Sequence, residues 1–129
     1  MSSNVTYKYI RQNPDIHTYI KNADAAVKAQ GYTEHSFAHV EKVADTVKMI
    51  LEGLGYDERK VELGMIAAYL HDIGNVINRI DHAQSGAVMA FRLLDNLNMP
   101  AEEICDIISA IGNHDEGTAQ PLNAITAAL

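Results

Sequence analysis

The stretch Ala67-Ala68-Tyr69-Leu70-His71-Asp72-Ile73-Gly74-Asn75 constrains this chain more than any other. Apolar and helix-forming residues run directly into an imidazole and a carboxylate, and a glycine follows. Core packing does not ask for that pair at the end of a helix, whereas a metal ion does. Adjacent helical residues point about 100° apart, so both reach one ion only if it lies near the helix end. Gly74 is read as that end, because glycine tolerates a left-handed C′ conformation. Taken alone, the pair is explained better by a solvated polar terminus where the helix dipole favours His71. The rest of the chain decides between the two.

Every periodic stretch is helical. Residues 1–13 form an arm without a firm period. Asn13-Pro14-Asp15 starts a helix, with Asn as cap, Pro at the first position and an acid in the first turn. Its apolar stripe is Ile16, Tyr19, Ile20, Ala23 and Val27, and Gly31 ends it; His17 lies off the stripe. Thr33 or Ser36 caps the next helix, with the stripe Phe37, Val40, Val43, Ala44, Val47, Ile50, Leu51 and Leu54. Gly53 and Gly55 close it. Asp57 caps the helix that ends in His71-Asp72. After a loop from Gly74 to Ile80, Asp81 with Gln84 resembles a capping box and opens a helix to Leu97. Pro100 opens another, with Ile104, Ile107, Ile108 and Ile111 buried and His114 continuing that face. Pro121 opens the last. No strand-like alternation or repeat appears, so the expected fold is all-α, a globular bundle of about six helices in a single domain over 1–129. The last helix reaches Leu129 without a cap, so it is expected to be truncated there.

Composition narrows the function classes. One domain and one core fit 129 residues. Net charge is −7, which argues against binding a nucleic-acid backbone. It leaves room for a small phosphorylated substrate, since a bound divalent cation reverses the local field. No apolar run approaches the roughly 20 residues that cross a bilayer, and the polar start lacks a signal peptide's apolar region; a cytoplasmic location is expected. A single cysteine, Cys105, excludes a disulfide framework and a thiolate zinc site. Its neighbours Ile104 and Ile107 make it a small core residue.

The histidines decide the reading of the pair. His39 opens one helix, His71-Asp72 closes the next, His82 opens the one after and His114 closes another. Facing ends of antiparallel helices meet in one cavity, so these residues are expected to form a metal site. Imidazole and carboxylate without thiolate suit Fe, Mn, Co, Zn or Mg. Five candidate ligands exceed what one structural zinc needs, so one or two catalytic ions are expected. His35 shares a helix face with His39 and is a candidate phosphate contact. Arg79, in the loop between ligand-bearing segments, is another.

With His39 in "HVEKV" and the pair in "LHDIGN", the chain resembles the HD-domain metal-dependent phosphohydrolases. That resemblance implies an all-helical fold with His39, His71 and Asp72 as metal ligands. His82 in "HAQSGA" and His114 in "IGNHDE" are similar to the additional histidines of two-metal members, including the branch that hydrolyses diadenosine tetraphosphate. Asn75 stands where many members carry a phosphate-contacting Lys. The family's final Asp ligand falls beyond Leu129. The implied activity is hydrolysis of a phosphate mono- or diester, of a nucleotide in many members, by metal-activated water, with Asp72 or His82 assisting proton transfer. The alternative is a non-catalytic HD module that binds metal or nucleotide in a regulatory role. A homo-oligomer is compatible with either.

Overall fold

The computed structural model describes residues 5–29, 31, 37–78 and 80–113. Among the described residues it is all-α, with six α-helices, one 3₁₀ turn and no strand. The helices are α1 (Tyr7–Gln12), α2 (Pro14–Ala29), α3 (Phe37–Gly53), α4 (Glu58–Leu70), α5 (His82–Asn96) and α6 (Ala101–Gly112), with the 3₁₀ turn at Ile73–Val76. They are not the six expected. α1 lies inside the supposed arm, started by Thr6, whose side chain accepts from Tyr9 N at 3.0 Å. The helix expected from Pro121 lies outside the described residues, as do the caps Thr33 and Ser36.

α4 is the axis of the bundle. Asp57 caps it by accepting from Lys60 N at 2.8 Å. Val61, Leu63, Gly64 and everything from Ile66 to Leu70 are buried. A helix apolar on all sides belongs inside a core. α3 packs along it, α6 and α1 also touch it, and α5 pairs with α6. α2 and α5 both pack on the 3₁₀ turn. Asn13 starts α2 as expected, its Oδ1 accepting from the amides of Asp15 (2.9 Å) and Ile16 (3.1 Å). Gly55 closes α3's turn at φ 85°, where glycine alone is unstrained.

Several expectations are corrected. Tyr19, Ile50 and Leu54 sit at the edges of their stripes and are exposed. Cys105 is exposed too, one position off the face that carries Ile104 and Ile107. Asp81 makes no capping bond and takes the left-handed conformation, φ 57°. Gln84 turns away from the cap and donates from Nε2 to the Gly112 carbonyl at 2.7 Å, tying α5 to the end of α6.

Gly74 is not left-handed either; the chain leaves α4 through right-handed His71 and enters the 3₁₀ turn. Glycine is required there by close approach. A Cβ at Gly74 would collide with the His82 carbonyl and lie 2.5 Å from Gly86 N. This contact seats the turn after Asp72 against the first turn of α5.

Candidate metal centre

Three helix ends converge. α3 carries His39 in its first turn, α4 runs out into His71 and Asp72, and α5 begins with His82. His71, Asp72 and His82 are buried at 8%, 7% and 6% exposure, while the His39 side chain is half-exposed. Asp72 is the hub. Its Oδ2 lies 3.1 Å from His71 Nε2 and 3.8 Å from His39 Nε2. Its Oδ1 lies 3.2 Å from His82 Nε2. The rings of His39 and His71 stand 6.0 Å apart.

The local fold also sets the tautomer of His71. Its Nδ1 lies 2.5 Å from the Ala68 carbonyl, and a carbonyl can only accept. Nδ1 therefore carries the hydrogen and Nε2 presents a lone pair toward Asp72. A lone pair facing a carboxylate oxygen at 3.1 Å calls for a cation between them, a proton or a metal ion. Burial pushes the His71 pKa down, but the hydrogen bond and charge of Asp72 and the Ala68 carbonyl outweigh it and hold it above the ordinary value.

The donor atoms of His39, His71 and Asp72 all lie within 4.8 Å of one another. With metal–ligand bonds of about 2.0–2.2 Å, a small side-chain adjustment brings the three onto one ion. The donor set, two imidazoles and a carboxylate, suits a divalent cation. The residues present therefore fit the group. A main-chain carbonyl orienting a ligand imidazole is the usual outer support of such sites, and here Ala68 supplies it.

The expected site residues fall into three groups. His39, His71 and Asp72 form the cluster. His82 is on the far oxygen of Asp72 and stands outside that triad. Asn75 is 1% exposed; its Nδ2 donates to the Asp72 carbonyl at 3.0 Å, and its Oδ1 has no partner among the described residues. It braces the Asp72 backbone from below instead of facing the solvent side. His35, Arg79 and His114 lie outside the described residues. The roles of Ala68 and Gly86 are missing from the sequence reading. Ala68 had a signal, since a helical residue three before a terminal histidine offers it a carbonyl.

The family model of the HD domain matches residues 36–129. The chain belongs to the HD domain family. An HD domain with this triad fits the metal-dependent phosphohydrolase superfamily. An uncharacterised protein of Methanocaldococcus jannaschii is 26% identical over 133 residues, covering 86% of this chain and 51% of that protein. The chain thus spans about half the length of the curated relative it matches. No solved structure matches it. Among the described residues, no helix of this HD domain is long and apolar enough to cross a membrane.

Proposed function

We propose that this HD domain is a metal-dependent hydrolase of a phosphate mono- or diester, with a nucleotide as the substrate class. The observation that supports it most is the division of Asp72: Oδ2 faces His39 and His71, while Oδ1 faces His82. One carboxylate thereby serves an ion on one side and a titratable imidazole on the other.

A divalent ion held by His39, His71 and Asp72 would supply Lewis acidity and lower the pKa of its water. The chain's own residues supply the rest. Ala68 fixes His71 with Nε2 as the ligating atom. Asn75 and the Gly74 contact hold Asp72 in register with α5. Asp72 orients His82, which takes a proton from attacking water and returns one to the leaving oxygen. Such a positioned acid–base group is worth about 10²–10⁴ in rate. His114 is proposed as a further ligand, and His35 and Arg79 as phosphate contacts.

The test is turnover of bis(p-nitrophenyl) phosphate, p-nitrophenyl phosphate and a nucleotide panel, with Mg, Mn, Fe, Co or Zn added singly. The reading requires metal-dependent turnover that is abolished in Asp72→Ala and falls about 10²-fold or more in His82→Gln. Metal binding without turnover of any substrate would instead mark the regulatory module.

A further inference from the structure

A cleft of about 550 Å³ opens among α1, α2, α3 and α4, lined by Tyr7, Lys8, Arg11, His17, Phe37, Glu41 and Tyr69 among others. Its size is within the usual range of small-ligand sites, about 300–1,000 Å³. None of His39, His71, Asp72 or His82 lines it. We propose that this cleft is a second ligand site, for a planar aromatic anion of nucleotide size, which binds whether or not the metal centre is loaded.

The ring preference comes from its walls. The chain has six tyrosines and two phenylalanines, and three of these eight rings face the one cleft. Tyr7 meets Tyr69 edge to face at 5.8 Å, and the His17 ring stacks on Phe37 at 4.2 Å. Offset and edge-on arrangements are those a further planar ring extends with gain.

The charge preference comes from Arg11 and Lys8. Arg11 lies 5.4 Å from the Tyr7 ring centre, and its ion pair to Glu41, the one it makes among the described residues, is long at 3.4 Å. Arg59 shows the contrast, with four donor contacts of 2.6–2.9 Å to Glu103, Glu62 and Val5. The Arg11 guanidinium therefore retains donors in a fork that matches phosphate or carboxylate. Lys8 adds a second positive charge, and among the described lining residues Glu41 is the one acid.

Tyr69 lines the cleft and adds a hydroxyl to its wall. Burial raises the pKa of Tyr69, and pushes that of Tyr7 up to about 12, so both hydroxyls stay protonated donors. The cleft and the metal centre share scaffolding: α3 gives Phe37 to one and His39 to the other, and Tyr69 is two residues before His71.

The experiment is calorimetric titration of the full chain with adenosine 5′-monophosphate, with and without EDTA. The proposal requires saturable binding tighter than about 1 mM, retained in EDTA and in His39→Ala. Arg11→Gln weakens it about tenfold, Tyr69→Phe weakens it severalfold, and adenosine without phosphate binds at least about tenfold more weakly than the monophosphate, as lost charge-assisted bonds require. Absence of saturation, an unchanged affinity in Arg11→Gln, or binding lost in EDTA or His39→Ala would each overturn it. The last two results would place the anion on the metal centre, and none of these readouts depends on hydrolysis.

Discussion

His82 Nε2 stands 3.2 Å from Oδ1 of Asp72, on the carboxylate oxygen that His39 and His71 do not face. The two imidazole environments are thus separated by one functional group, and substitutions should separate them too. His82→Gln should keep the metal and lose turnover, lowering kcat about 10²-fold or more with little change in KM. Asp72→Asn should lose both. Parallel metal analysis and steady-state kinetics on the two variants check this. Equal metal loss in both would make His82 a ligand of the same ion.

Gly74 predicts a sharp stability contrast. A Cβ there meets backbone, the His82 carbonyl and Gly86 N, which cannot swing aside as a side chain does. Gly74→Ala should cost about 3 kcal/mol, the upper end of overpacking, and should also move Asp72 off His82. Gly53, in α3 with nothing within 4 Å of its Cβ position, is the control. Gly53→Ala should stabilise by about 0.5–1 kcal/mol. Urea melts of both variants test the pair.

Much of this was legible in the residues. Asn13 and Asp57 cap their helices through local geometry that a few neighbouring residues determine. The convergence of His39, His71 and Asp72 follows from placing ligands at helix ends. What escaped depends on partners distant in sequence. Gly74 reads as a helix terminator, but it is required by α5 pressing against it. Tyr19, Ile50 and Leu54 have the period of the core but lie at stripe edges, where only the neighbouring helix decides burial. The adjacency of apolar residues also misplaced Cys105, which is rotated off the buried face of α6. α1 is too short to show a period at all.

Arg59 links α4 to α6 and to the N-terminal segment, and predicts an acid-sensitive stability. Its Nε and Nη2 donate to Glu103 at 2.8 and 2.6 Å, while Nη1 reaches Glu62 and the Val5 carbonyl. The Arg59 hydrogen bonds hold the Glu103 carboxyl below its ordinary value of 4.5, against the opposing effect of burial. The unfolded chain therefore binds this proton more tightly than the folded one. Stability from the pair is complete above about pH 4.5 and is lost as pH falls through the lowered folded value. Glu103→Gln should cost about 1 kcal/mol at neutral pH and flatten the fall in stability on the acid side. Chemical denaturation from pH 7 to pH 3 measures both, and an unchanged acid slope would show that Glu103 is not the group responsible.

The most direct test of the account is the divalent metal content of the full chain, purified without chelator, against Asp72→Ala and His71→Ala. The account predicts about one ion or more per wild-type chain, and loss of most of it in each variant, since the triad has no ligand to spare. It also predicts that EDTA lowers the wild-type melting temperature and leaves the variants unmoved, because an ion that binds only the folded state stabilises it. No metal above background in the wild-type chain, or equal metal in all three proteins, would contradict it.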